Sequence, residues 1–424
     1  ASCGKSKGSD DATSETKTVE SSTSKDSSSS SKASTTNDSS STTKNSSDSE
    51  ESTTSTDISG ISSGSASVSF KYGNQTTTKT INAAYLIDGQ TVTITEGTYK
   101  SASSSSDQVV FLVINGGKLI IKGTNDSHVE VTKSGSAASS GQVGDDYNFY
   151  GINSGIVVSG SESSATIEYC DITTSSNGSN AVVATNSGSV NITNSTITST
   201  GSAGSRGLHT TYDGVIVADS VEIQTQGASC ASLANDRGGG SITASNMTLQ
   251  TNSAGSPLVY STDYIKVIDS TGSANSAQAV VVEGGSTAYL DGCDFTCTGT
   301  GNRQGTSDSN SSTHTIDAGG VFIYQSVSGD SEEGTDYFYC IDTTITVTEE
   351  TPMIYMTNIT AEITISGSTF SYASGQYFLL CEATNQWGTT GKNGATATVK
   401  ADFEESSVST YSGSTSSISW TVSS

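Results

Sequence analysis

One position of an internal repeat carries side chains that are able to bind a ligand. It comes directly after an apolar strand centre, and it is occupied by His209, Tyr260, Glu283, Tyr324 and Tyr355. If the apolar residue points into a core, its neighbour points outward, because side chains alternate along a strand. An outward column of aromatic rings suits an extended sugar polymer. With Gln325 in the next column, these six residues are predicted to bind polysaccharide. The alternative is that tyrosine simply favours strands.

A second constellation combines basic and acidic side chains. Arg206 and Arg237 lie in neighbouring repeats, close in sequence to Asp213 and Asp236. A polysaccharide lyase needs a base that abstracts a proton beside calcium-bound carboxylates, and acidic turn residues supply oxygen ligands for calcium. Asp213 and Asp236 are therefore the candidate calcium ligands, and calcium is the one cofactor expected. The competing interpretation is that these residues only form the corners of the repeat.

Other kinds of catalysis find little support in the sequence. The chain has three histidines, His128, His209 and His314, and no motif pairs them with a serine, a cysteine or a metal-ligand spacing. An Arg-x-Lys element, expected of a pectin-degrading enzyme, does not occur. No catalytic residue is predicted.

The elements that carry these residues are short strands. Apolar strand centres recur every 25 residues at 158, 183, 208 and 233, and then at Val259, Val282, Ile323, Ile354 and Leu380. A second column follows 11 or 12 residues later, at Cys170, Ser195, Ser220, Ser245, Ser270 and Cys293. The two columns recur with the same spacing, and the sequence shows no helical periodicity. This pattern predicts coils that stack on one another and pair their strands in parallel. Insertions interrupt the repeat at Gly299–Ala318 and Ser328–Thr335.

The cysteines fit the same stack. Cys170 and Cys293 occupy a column otherwise filled by serine, so they are predicted to be small buried thiols rather than disulfide partners. Cys3 is different, because Ala1-Ser2-Cys3 resembles the end of a bacterial lipoprotein signal. It is the predicted lipidation site, and the only predicted contact with a membrane.

Composition divides the chain into two parts. Residues 1–64 are almost wholly polar and are predicted to be a disordered tether, whereas residues 65–424 form the folded domain. The chain has 18 basic and 43 acidic residues, a net charge of −25, which disfavours nucleic acid and anionic lipid as partners. No apolar run is long enough to cross a bilayer.

The repeats, with the phrases Ser205-Arg-Gly-Leu-His209 and Gly320-Val-Phe-Ile-Tyr-Gln-Ser326, resemble the right-handed parallel β-helices of bacterial surface proteins. Over residues 80–420 the chain looks like clostridial pectate-lyase-like β-helices. That resemblance implies binding of cellulose or acidic plant polysaccharide, with calcium.

Together these observations predict an all-β, right-handed parallel β-helix behind a Ser/Thr-rich tether. The expected protein is a monomer, exported and lipid-anchored at the cell surface, that binds plant cell-wall or host polysaccharide without catalysis. Two alternatives stay open: a lyase or hydrolase of acidic glycans, and an adhesin that binds protein.

Overall fold

The strands wind into stacked coils, and each coil crosses three faces in turn. The computed structural model describes residues 16–20, 55–56, 58–138, 144–308, 313–326, 334–387 and 394–423. Apart from two antiparallel hairpins and one antiparallel edge strand, Thr16–Glu20, the strands pair in parallel with the coils before and after them. The predicted parallel β-helix is therefore confirmed.

Face 1 is a sheet of 13 strands. Its strands are Gly64–Tyr72, Gln75–Asp88, Gln108–Ile114, Ile156–Ser159, Val182–Thr185, Leu208–Thr210, Leu233–Asn235, Val259–Ser261, Val280–Glu283, Val321–Tyr324, Ile354–Thr357, Leu379–Cys381 and Thr410–Ser412.

Faces 2 and 3 are joined in one sheet of 22 strands. Face 2 contains Ser55–Thr56, Thr91–Ile94, Lys118–Lys122, Ser164–Glu168, Gly240–Ser245, Tyr264–Ile268, Thr287–Asp291, Thr335–Ile341, Thr360–Ser366, Thr396–Ala401 and Ser417–Val422. Face 3 contains Thr16–Glu20, Thr98–Lys100, Val129–Lys133, Cys170–Thr174, Thr248–Thr251, Thr271–Ala274, Asp294–Cys297, Thr344–Val347 and Thr369–Ala373. Ser189–Ser199 and Gly214–Thr225 run through both faces.

Little of the described chain lies outside these faces. Arg303–Thr306 and Thr313–Ile316 form a separate antiparallel hairpin. The helices are short: the α-helix Asp145–Asn148 and the 3-10 helices Ile58–Gly60 and Glu405–Ser407. No helix in the described ranges has the length and apolar character needed to cross a membrane.

The corner between faces 2 and 3 turns on one residue per coil. In the coils from Tyr169 to Gly367 that residue has positive φ, for example 48° at Asn194, 57° at Ser220 and 52° at Asn246. The next residue is buried, and where it is a serine its hydroxyl accepts a hydrogen bond from the backbone of the preceding coil. Ser195 Oγ accepts from Cys170 N at 3.1 Å, and Ser270 Oγ from Met247 N at 2.9 Å. These hydrogen bonds thus connect the corners of successive coils along the axis of the β-helix.

Two predicted columns need correction by one or two residues at several positions. Val182 pairs with Leu208, whereas Val183 pairs with His209 on the outer side of face 1. At the corner, the buried positions belong to Val221 and Met247 rather than to Ser220 and Ser245. The strand error arose because Val182–Thr185 is buried on both sides, so its apolar residues do not show which side faces the core.

The six cysteines of the folded part are buried free thiols, as predicted for Cys170 and Cys293: Cys170, Cys230, Cys293, Cys297, Cys340 and Cys381. Burial raises the pKa of the Cys297 and Cys340 thiols to about 12, so both stay protonated. They act as small core residues.

Face 1 is covered on its outer side, unlike the other two faces. Val68, Phe70 and Ile81 of the Gly64–Asp88 hairpin pack with Phe149 and Tyr150 over the early coils of face 1. We call this hairpin, together with Phe149 and Tyr150, the first cover. Over its later coils, the Arg303–Ile316 hairpin and Trp387 pack on Phe322 and Tyr355; we call the hairpin and Trp387 the second cover. Many of the face 1 strands are therefore buried on both sides, as in Val321–Tyr324.

The second cover is fixed to the late coils. Thr306 N donates to Asn385 Oδ1 at 2.7 Å, and Asp308 N donates to the Ala383 carbonyl at 3.2 Å. The Arg303 guanidinium lies 5.3 Å from the Trp387 ring centroid. The predicted insertion Gly299–Ala318 is thus, where described, a structured cover.

Several predictions fall on residues that the structure does not describe. Cys3 lies there, as does most of the predicted tether, and so do residues 328–333 of the second predicted insertion. The lipidation of Cys3 stays a prediction.

Candidate functional site

A cleft of about 240 Å³ opens on the outer side of face 1, in the gap between the two covers. Its floor includes Asp236, Tyr260, Val281 and Phe322, which come from four successive coils. Its walls come from Asn148 and Phe149 on one side, and from Asn302, Arg303 and Asp317 on the other. The gap lies where the residues of the first cover end and those of the second cover begin, above Asp236 and Tyr260.

At one end, Arg206, His209 and Asp236 form a buried network. His209 Nε2 lies 2.6 Å from Asp236 Oδ2, and Arg206 Nε lies 3.4 Å from the same oxygen. The carboxylate only accepts, so Nε2 carries the proton and Nδ1 accepts from Asn180 Nδ2 at 3.1 Å. Burial lowers the pKa of His209, and Arg206 lowers it further against the opposing effect of Asp236. His209 is therefore a neutral connector with both ring nitrogens engaged.

Next to this network, the Glu283 carboxylate accepts hydrogen bonds from three hydroxyl groups. Tyr260 Oη donates to Glu283 Oε2 at 2.5 Å and Tyr324 Oη donates to the same oxygen at 2.9 Å. Ser326 Oγ donates to Oε1. Burial raises the pKa of both tyrosines, and the charge of Glu283 raises it further. The two phenols are thus held protonated, with their rings fixed on the floor.

The wall on the second cover is organised by Asp317. Its Oδ1 accepts from Asn302 N at 2.7 Å and its Oδ2 from Arg303 Nη1 at 3.3 Å. Its backbone carbonyl accepts from Gln278 Nε2. Burial raises the pKa of the Asp317 carboxyl to about 6, although Arg303 acts in the opposite direction.

Several polar groups remain available to a ligand. Among the described residues, Arg206 Nη2, Asp236 Oδ1 and Gln278 Oε1 have no hydrogen-bond partner, and neither are they sealed from solvent. Arg303 has a half-exposed guanidinium of which only Nη1 is engaged by a carboxylate. Donors and acceptors therefore face the same space.

Two of the six predicted ligand-binding residues, Tyr260 and Tyr324, line this cleft, and His209 and Glu283 hydrogen-bond to lining residues, but the predicted exposed ladder is wrong. His209 is 1% exposed, Glu283 2%, Tyr324 5% and Tyr355 2%. They lie on the outer side of face 1, as expected, but the covers bury that side. Tyr260 and Tyr324 both line the cleft, and Tyr260 is the one that is half-buried rather than buried.

Two predicted residues lie apart. Tyr355 donates to Glu382 Oε1 at 2.7 Å beneath the second cover. Gln325 is buried at the end of its strand. Neither lines the cleft.

The lyase constellation is divided. Arg206 and Asp236 meet in the cleft, whereas Asp213 lines a separate groove. Arg237 stacks 4.2 Å from the Phe149 ring centroid. The candidate calcium ligands Asp213 and Asp236 thus do not share a cavity, and no group of three or more acidic, His or Cys side chains able to hold a metal occurs in the described part of the chain.

Asn148, Gln278, Asn302 and Asp317 are among the cleft residues that were not predicted, and neither was Asn180, which lies behind His209. The only available signal for the wall was the insertion Gly299–Ala318, which suggested a loop on a functional face. This insertion folds back over earlier coils through long-range contacts, which no local sequence pattern predicts.

Comparison with known proteins adds no assignment. No family model, no curated protein and no solved structure matches this chain. Function therefore has to be argued from the site itself.

Proposed function

We propose that the chain is a carbohydrate-binding protein, and that the cleft between the two covers holds a short stretch of a polysaccharide. One observation carries the proposal: unengaged donors and acceptors converge beside a half-exposed aromatic ring. Arg206 and Arg303 offer N–H groups, and Asp236 and Gln278 offer oxygens. Sugar hydroxyl groups need both kinds of partner, and an aromatic floor such as Tyr260 packs against the C–H face of a sugar ring.

The rigidity of the site also supports binding. Its polar groups are fixed by a second layer, with Asn180 behind His209 and Arg206, and Glu283 behind Tyr260. A pre-organised site loses little conformational entropy when its ligand binds.

Binding without turnover is favoured over lyase activity. A lyase requires a free base, whereas His209 has both nitrogens engaged and Arg206 is paired with Asp236. Glu283 is saturated with hydroxyl donors. The lyase alternative nevertheless makes a distinct prediction, namely unsaturated uronides released from an acidic glycan.

A glycan array followed by calorimetry tests the proposal. The full chain is screened on plant cell-wall and host polysaccharides, and a bound oligosaccharide is titrated against wild type, Tyr260→Ala and Arg303→Ala. We expect each variant to raise Kd at least tenfold, which corresponds to a loss of about 1.4 kcal/mol of binding free energy. Tyr289→Ala, a half-buried tyrosine on face 2, is the matched control and should leave Kd unchanged.

Each other outcome has a defined meaning. Absence of any bound glycan, or equal affinities for all four proteins, would contradict the proposal. Absorbance from unsaturated uronides would replace it with the lyase alternative. Repeating the titration in a chelator tests whether calcium takes part.

A further inference from the structure

A second cavity runs beside the first cover and shares no lining residue with the cleft. This groove has a volume of about 840 Å³. One wall is the strand Gly64–Tyr72, which is the terminal strand of the face 1 sheet. The other wall is a stack of corner residues from successive coils, among them Asn115, Ser159, Asn186 and Asp213.

The strand wall presents an unpaired backbone edge. Its residues alternate between bonding to Gln75–Ala83 and pointing away from it, and the Ser69 carbonyl points away, because it accepts from Asn186 Nδ2 at 3.1 Å. Ser67 and Lys71, two residues on either side, have the same orientation. Among the described residues, the N–H groups of Ser67, Ser69 and Lys71 have no partner.

The dimensions of the groove suit one extended chain. Its corner wall spans the turns of about five coils, which at about 4.8 Å per coil gives a length of roughly 19 Å, or about six residues of a strand. Near the strand, Val68 and Ile114 are buried lining residues, whereas Ser67 and Ser69 point outward and are exposed. A chain lying there would meet apolar atoms on one side and solvent on the other.

A second copy of this protein does not fit as the occupant. Its own Gly64–Tyr72 edge lies in the same kind of groove, so the corner walls of both copies would collide before the edges met. A glycan fits poorly too, because N–H and C=O groups that recur every second residue match the repeat of another strand.

We propose that the Gly64–Tyr72 edge binds an extended segment of a partner polypeptide by strand addition. The segment lies in the groove, accepts hydrogen bonds from the N–H groups of Ser67, Ser69 and Lys71, and displaces the Asn186 amide from the Ser69 carbonyl. Alternating apolar and polar side chains suit its two environments. This site is independent of carbohydrate binding in the cleft.

Selection from phage-displayed random nonapeptides on the full chain tests the proposal. We expect enriched sequences that alternate in polarity. When the best peptide is synthesised and added to wild-type protein, amide hydrogen exchange should slow at Ser67, Ser69 and Lys71. The amides of Val68 and Phe70, which already face the neighbouring strand, should not change.

A matched pair of variants tests the backbone specifically. Ser69→Pro removes one edge N–H, whereas Ser69→Thr keeps it. The proline variant should bind at least tenfold more weakly than the threonine variant, provided that both unfold at the same temperature as wild type. Failure to enrich any peptide, or protection confined to the cleft, would overturn the proposal. The exchange measurement needs no variant, so it decides even if Ser69→Pro does not fold.

Discussion

Face 1 and face 2 are built from the same coils, yet they differ in what lies outside them. Outward positions of face 2 are half-exposed, as in Tyr264–Ile268 and Thr287–Asp291, where buried and half-buried residues alternate. On face 1, a strand such as Ile354–Thr357 is buried on both sides. The contrast shows that the repeat builds the scaffold, whereas the two covers decide which face carries the candidate site.

Tyrosines illustrate the difference. On face 2, Tyr289 stacks on Tyr339 with ring centroids 4.8 Å apart, and Lys266 lies 4.5 Å from the Tyr289 ring. These rings support each other at the surface. On face 1, Tyr324 instead stacks 4.1 Å from Phe322 and donates to a buried carboxylate. The same residue type is surface packing on one face and part of a site on the other.

The largest expected effect compares the two faces directly. Phe322→Ala removes a ring that is 2% exposed and lies 5.5 Å from Trp387. We expect it to lower the free energy of unfolding by about 3–5 kcal/mol. Tyr289→Ala on face 2 should cost about 1 kcal/mol, because its ring packs only at the surface. Urea denaturation of both variants gives the comparison, and equal costs would contradict the two-sided burial of face 1.

A smaller effect should appear with pH at the second cover. The pKa of Asp317 is raised from 3.8 to about 6 in the folded chain, so the folded state binds this proton more tightly than the unfolded state. The folded chain is therefore favoured at low pH, and that contribution is lost as pH rises from about 4 to 6. Asp317→Asn lacks this titration, so its stability relative to wild type should rise across the window by up to about 3 kcal/mol. If the difference in unfolding free energy between Asp317→Asn and wild type did not change between pH 4 and pH 7, the raised pKa of a buried Asp317 would be contradicted.

Much of the fold followed from the sequence because stacked coils repeat their contacts locally. Two columns in step predicted parallel strands, and serine at the position of Cys170 predicted a buried thiol. The pattern failed where face 1 is apolar on both sides: Val182 and Val183 are equally hydrophobic, so only the covers determine which one faces outward. Sequence placed Tyr324 and Tyr355 on the outer side but gave no sign of burial there.

The site was predictable only in part, for a related reason. Arg206, His209 and Asp236 come from adjacent coils, so the period brings them near each other. Arg303 and Asp317 reach the cleft through an insertion that folds back across the coils. The repeat period does not predict where such an insertion goes. Asp213 was grouped with Asp236 by sequence proximity, yet it lies at the corner that lines the groove.

The central claim is that ligand binds face 1 between the covers rather than the flat outer surface of face 2. Hydroxyl-radical footprinting of the full chain, with and without an oligosaccharide identified on the array, tests it directly. Tyr260 is half-buried and lines the cleft, whereas Tyr264 and Tyr289 lie half-buried on face 2. The account predicts that oxidation of Tyr260 falls severalfold on binding while oxidation of Tyr264 and Tyr289 stays constant. Protection of the face 2 tyrosines with no change at Tyr260 would contradict it.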